Sequence, residues 1–135
     1  MPDPAFSATQ NANRPPLVLI VEDEVNIALA LEHLLAGQGY ASRSVADGQA
    51  ALEAVAEEPP DLVLLDIMLP RRSGYEVCAA IRRDPALART KILMMTASGR
   101  RGDAEHGLEL GADGFIAKPF ASADLRHEVA RLLAG

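Results

Sequence analysis

At 135 residues, 49% hydrophobic and 24% charged, with a single cysteine, the chain is one domain's worth of polypeptide with enough apolar content for one core. That composition excludes collagen-like, coiled-coil and disordered classes, an intrachain disulfide and a cysteine zinc site. Thirteen Lys+Arg against 19 Asp+Glu leave a formal net charge of −6, the wrong sign for neutralising phosphate backbones, so no direct nucleic-acid partner is expected.

The first fifteen residues carry Pro2, Pro4 and Pro15 among Ser, Thr and Asn, without apolar periodicity. They are predicted to form a disordered tail ahead of a folded domain over 16–135. They lack the apolar core of a signal peptide, and no apolar run approaches the roughly 18 residues of a bilayer span, so a cytoplasmic, membrane-free protein is expected.

From Leu17 the chain alternates short apolar runs with helical patterns. Leu17–Val21 is apolar throughout, the mark of a strand sheltered on both faces. Ile27, Leu31, Leu34 and Leu35 follow at helical spacing, stopped by Gly37 and Gly39. Tyr40–Val45 is a more polar strand, suited to an edge. Asp47-Gly48 opens an Ala-rich helix through Glu57, ended by Pro59-Pro60. Leu62–Leu65 is a third strand. Gly74 to Arg83 is a helix with Val77 and Ile81 inward, halted at Asp84-Pro85. Ile92–Met95 is a fourth strand, Asp103 to Leu110 a helix closed by Gly111, and Gly114–Ala117 a short fifth strand. Ser122 is the predicted N-cap of a last helix through Leu133. Strand–helix units of this kind predict an α/β fold, a mostly parallel sheet covered on both faces by helical crossovers.

Ligands of such sheets bind beyond the carboxyl ends of the strands. Strand 1 exits into Glu22-Asp23-Glu24, strand 3 into Asp66, strand 4 into Thr96-Ala97-Ser98 and strand 5 into Lys118-Pro119. Each has an ordinary reading. The acidic triplet could cap the following helix, Asp66 could serve a turn before Pro70, and Lys118 could be a solvated charge. What those readings leave unexplained is the coincidence that four exits of five suit a divalent metal and a phosphoryl group. Clustered carboxylates repel one another and favour a hard, oxygen-liganded cation such as Mg²⁺. Lys118 is also one of only two lysines, with Lys91, in a chain that otherwise uses arginine.

Val21-Glu22-Asp23-Glu24, Leu65-Asp66-Ile67-Met68-Leu69-Pro70 with Gly74, Met95-Thr96-Ala97, and Gly111-Ala112-Asp113 running to Lys118-Pro119-Phe120 together resemble the response-regulator receiver domain over about residues 16–134. The resemblance implies a five-stranded parallel sheet of order 2-1-3-4-5, doubly wound and flavodoxin-like, (βα)5. It implies that Asp66 is the phospho-acceptor, attacking a phosphohistidine of a sensor histidine kinase or histidine phosphotransfer protein. Mg²⁺ would be held by Asp23, Asp66 and the backbone carbonyl of Met68, with Glu22 acting through water. Lys118 would neutralise phosphoryl oxygens as a compact point charge. Thr96 would turn toward the new phosphoryl group, and Phe115 would fill the space it leaves. That would change the surface of the fourth helix, fifth strand and fifth helix for an unknown target, a homodimer through that face being one outcome. Phe115 stands where Tyr is commoner in the family and offers a partner no hydroxyl. Lys118-Pro119 is expected to be cis. Met68 and Ser98 would flank the path of the hydrolytic water, and apolar Met68 offers it no hydrogen bond, so a moderately long-lived phosphoryl group is expected.

On this reading the protein is no enzyme in the ordinary sense; it promotes only its own phosphorylation and dephosphorylation. With no output segment after Leu133, it is expected to act as a stand-alone regulator or phosphorelay element, the alternative being a receiver fragment of a longer regulator. A phosphatase of the haloacid dehalogenase type would need a second Asp where Met68 stands. A flavodoxin-like cofactor binder would need a glycine- or hydroxyl-rich phosphate loop in place of Glu22-Asp23-Glu24. A receiver that never takes phosphate would lack the Asp66, Thr96 and Lys118 set. His33, His106 and His127 are expected to be solvated helix residues, Cys78 a packed thiol, and Arg71-Arg72 a solvated loop pair. Arg100-Arg101 could contribute to an output contact.

Overall fold

Strands that are apolar at every position must be sheltered on both faces, and the chain does this by interleaving them with helices. In the computed structural model, which describes residues 14–97 and 101–135, the strands are β1 (Leu17–Val21), β2 (Ala41–Val45), β3 (Leu62–Asp66), β4 (Lys91–Thr96) and β5 (Gly114–Ala117). They form one parallel sheet in the order β2-β1-β3-β4-β5. The crossovers are α1 (Val25–Gly37), α2 (Gly48–Glu57), α3 (Gly74–Arg83) and α4 (Arg101–Glu109), and α5 (Ser122–Ala134) follows the last strand. The expected doubly wound, flavodoxin-like (βα)5 fold is present, with its strand order.

Alternation along each inner strand divides the core in two. Leu19, Val21, Val63, Leu65, Ile92 and Met94 pack with α2 and α3 residues, among them Ala51, Ala54, Val77, Cys78 and Ile81. Val18, Ile20, Leu62, Leu64, Leu93 and Met95 pack on the other face with Leu31 and Leu35 of α1 and Leu125, Val129 and Leu132 of α5. At about 25 cal/mol per Å² of apolar surface, burial of these side chains is the main stabilising term. β2 lies at an edge, which explains its polar Ser42, Arg43 and Ser44.

Several boundaries differ from expectation. Ser122 is the first helical residue of α5 rather than its cap; Ala121 takes the cap position with no side-chain bond, and Asp124 in the first turn complements the helix dipole. α3 has a capping box unread in the sequence, Ser73 accepting from the Glu76 N–H and Glu76 from the Ser73 N–H. After it, Pro85–Leu87 makes a single 3₁₀ turn with Asp84 accepting from the Ala86 N–H. Of the tail expected over 1–15, all but Arg14 and Pro15 lies outside the described residues. Among the described residues, no helix is long and apolar enough to cross a membrane.

Candidate functional site

The site begins at the switch point between β1 and β3. Val21 pairs with Leu65, so the next residues, Glu22 and Asp66, leave the sheet side by side. Both are buried, at 3% and 5% exposure, while Asp23 is open to solvent. Carboxylate oxygens of Glu22, Asp23 and Asp66 all lie within 4.8 Å of one another. Lys118, at the exit of β5, sends its Nζ to 2.5 Å from Glu22 Oε1 and 3.2 Å from Asp66 Oδ2. Its backbone N–H donates to the Thr96 carbonyl at 2.6 Å, and its bond to Pro119 is cis.

One ammonium cannot balance three carboxylates. Burial is the largest influence on Glu22 and the neighbouring Asp66 adds to it, so that the Glu22 carboxyl is pushed up to about 7 despite Lys118. For Lys118, burial alone would lower the ammonium, but Glu22 and Asp66 more than offset it and hold the group above its ordinary value. The site therefore carries an unmet demand for positive charge.

The loop after β3 fixes the Asp66 carboxylate. Asp66 Oδ1 accepts the Met68 N–H at 3.1 Å, and the Ile67 N–H is tied to the Met95 carbonyl. The Gly74 N–H returns to the Ile67 carbonyl at 2.9 Å. A Cβ on Gly74 would overlap the Asp66 carbonyl oxygen, and one on Gly48 the Arg72 carbonyl oxygen, so the loop closes only over two glycines. Between them the Arg72 N–H bonds the Pro70 carbonyl with Arg71 at φ 74°, a strained γ-turn. Arg72 also reaches Gln49 Oε1 at 3.0 Å and Glu76 at 3.8 Å, so it belongs to the loop's support and is not simply a solvated charge.

Thus the structure brings together Glu22, Asp23, Asp66 and Lys118, and places the Met68 backbone against Asp66. Met68 is 74% exposed beside them. Glu24 stands apart from the cluster: it occupies the α1 cap position without a side-chain cap bond, and its N–H donates to Glu22 Oε2 instead. Thr96 is buried at the end of β4. Phe115 pairs with Met94, two residues before Thr96, and is half-buried against the core on the α3 side. Ser98 and Arg100 lie outside the described residues. His33 and His127 are exposed as expected; His106 is exposed too, but its ring meets Tyr75 edge-on. Cys78 is a fully buried thiol whose titration burial pushes up.

All donors at the rim are oxygens, crowded and under-compensated, which fits a hard divalent cation such as Mg²⁺. The family model for the response regulator receiver domain matches residues 18–130. A probable transcriptional regulator, ycf27, of Guillardia theta is 43% identical over 116 residues, covering 86% of this chain and 44% of the relative. The chain spans about half the length of the curated relatives it matches. A response regulator of Chloroflexus aurantiacus superposes with a TM-score of 0.86 at 37% identity, over 90% of this chain and 99% of that one. The receiver domain of a Pseudomonas aeruginosa sensor histidine kinase, which has a magnesium ion coordinated in its active site cleft, gives 0.83 at 31% identity, over 90% and 99% of the two chains. Fold, acidic cluster and kinship agree: the chain belongs to the response regulator receiver domain family of two-component signalling, and its Glu22, Asp23 and Asp66 cluster fits that family's phospho-acceptor site.

Proposed function

We propose that Asp66 accepts a phosphoryl group from a histidine of a sensor kinase or phosphotransfer protein, and that the chain is a switch with no turnover of an external substrate. The observation that carries this is Lys118 set against Asp66 and Glu22 on a carboxylate-rich rim. An Asp66 oxygen attacks phosphorus, the P–N bond breaks, and its electron pair leaves on the imidazole, which takes up a proton. The Met68 N–H on Oδ1 and the Lys118 ammonium on Oδ2 fix the carboxylate's orientation beforehand. In the transfer, Lys118 moves its charge from the carboxylates onto phosphoryl oxygens. Asp23, Asp66 and the Met68 carbonyl would hold Mg²⁺, with Glu22 acting through water, and the bound ion supplies charge neutralisation at the phosphoryl group.

The read-out follows from neighbours on the sheet. Thr96 donates its hydroxyl to the new phosphoryl oxygen, and Phe115, on the adjacent strand and the same face, packs into the space released. The α4–β5–α5 face then changes its affinity for a protein target or for a second copy of the chain. That read-out is the same in a stand-alone regulator and in a longer one, and a cytoplasmic setting fits a kinase donor. Apolar, exposed Met68 gives the hydrolytic water no partner, favouring a moderately long-lived acyl phosphate. The test is transfer from an autophosphorylated histidine kinase, followed by borohydride reduction and peptide mapping. Reduction should convert Asp66 to homoserine; a modified residue elsewhere would overturn the assignment.

A further inference from the structure

Between Ile67 and Ser73 the chain that joins β3 to α3 has little apolar anchorage. Leu69 is half-buried against the core, while Met68, Pro70, Arg71 and Arg72 are exposed. The two ends of this loop are tied within the site, through the Met68 N–H on Asp66 Oδ1 and the Gly74 N–H on the Ile67 carbonyl. Its middle is tied to a different element, the first turn of α2.

The Pro70 carbonyl accepts two N–H groups, from Arg72 at 2.8 Å and from Gly48 of α2 at 3.3 Å. Gly48 lies so close that a Cβ there would overlap the Arg72 carbonyl oxygen and Cβ. Beside this backbone contact, Arg72 Nε donates to Gln49 Oε1 at 3.0 Å, across 23 residues of chain. Each partner is braced by a helix of its own. Gln49 Nε2 donates to Glu53 Oε2 at 3.4 Å, one turn along α2, which leaves the amide oxygen for Arg72. Arg72 Nη1 lies 3.8 Å from Glu76 Oε2 in the first turn of α3. The support itself is firm: Asp47 caps α2 by accepting the Ala50 N–H at 2.8 Å, and Ala51, Ala54 and Val55 bury its inner face.

We propose that Gln49 and Arg72 are a positioning pair: they hold the loop after β3 against α2 and so fix the Met68 carbonyl for a divalent cation. The inference rests on the proposed Mg²⁺ site of Asp23, Asp66 and Met68. Mg²⁺ demands near-ideal octahedral geometry, so a small displacement of one ligand weakens its binding. Groups that orient a ligand therefore set affinity without touching the ion. The Gln49–Arg72 bond is itself solvent-exposed and contributes little to stability. Metal affinity and fold stability should accordingly separate when it is broken. Charge makes the sign informative. Gln49→Leu alters no charge, whereas Arg72→Met removes a cation from the loop that carries Met68, which by Coulomb attraction alone would tighten Mg²⁺.

Mg²⁺ titration of the full chain, followed by the Met68 and Gly74 amide resonances, reads affinity, and urea unfolding in EDTA reads stability. Gln49→Leu and Arg72→Met should each bind Mg²⁺ about five-fold more weakly than wild type, with urea midpoints in EDTA unchanged. The double variant should be no weaker than either single one, since one shared bond is lost. Wild-type affinity in Gln49→Leu, tighter binding by Arg72→Met, or losses that multiply in the double variant would overturn the pair. Losses of affinity matched by lower urea midpoints would overturn it too, marking a structural contact only. Wild type that binds no Mg²⁺ would overturn the metal site itself, and the pair's role with it.

Discussion

The Lys118 ammonium lies 3.2 Å from Asp66 Oδ2, across two strand exits that are 52 residues apart in the chain. The two side chains are mostly buried, and Glu22, which shares the same ammonium, is wholly so. Removing one partner from a buried charged set leaves the others uncompensated.

Lys118→Met should therefore cost stability in metal-free buffer, by about 3 kcal/mol. Added Mg²⁺ should restore part of it, since a divalent cation answers the same unmet charge. Urea unfolding with EDTA and with Mg²⁺ reads both effects. Unchanged stability without metal would mean that the Lys118 contacts contribute little.

Glu22 sets a pH dependence with a definite sign. Its carboxyl titrates near 4.5 in the unfolded chain and is pushed up to about 7 in the folded one, chiefly by burial. Between those values the native state binds the extra proton, so stability falls as pH rises. The contribution is fully present below about pH 4.5 and is lost once pH passes about 7. In EDTA, Glu22→Gln should flatten stability across that window, measured as urea midpoints at half-unit steps. An equal slope in wild type and variant would place the proton elsewhere.

The glycine under Asp66 gives a third test. Gly74→Ala drives a Cβ into the Asp66 carbonyl oxygen, and since backbone is the obstacle the loop must move. A stability loss of about 2 kcal/mol and weaker Mg²⁺ binding are expected together. Arg71→Gly should act in the opposite direction, relieving a left-handed residue at φ 74° and adding about 1 kcal/mol. Thermal unfolding and Mg²⁺ titration of both variants check the pair; a Gly74→Ala protein with normal Mg²⁺ affinity would separate the loop from the site.

Much of this was legible in the residues, for physical reasons. Val18–Val21, Leu62–Leu65 and Ile92–Met95 are sheltered on both faces, so an unbroken apolar run announces them. The strand exits Glu22, Asp66 and Lys118 could be named because an α/β sheet puts its site at that edge. What stayed hidden was contact between residues far apart in the chain. Nothing local in Arg82 points to Gly111 or Asp113, nor in Tyr75 to Asp103. The capping box is local, and Ser73 and Glu76 three residues apart are enough to signal it. Residue type alone points to Ser122 as the cap, but the extended backbone of Ala121 decides the boundary.

Asp66 is proposed to take up a phosphoryl group with help from a metal held on the acidic rim. Intact-mass spectrometry after incubation with acetyl phosphate, with and without Mg²⁺, addresses it most directly, using wild type and Asp66→Asn. The expected result is a gain of one phosphoryl group in wild type, dependent on Mg²⁺ and absent from Asp66→Asn. A gain of the same size in Asp66→Asn, or one indifferent to Mg²⁺, would contradict it.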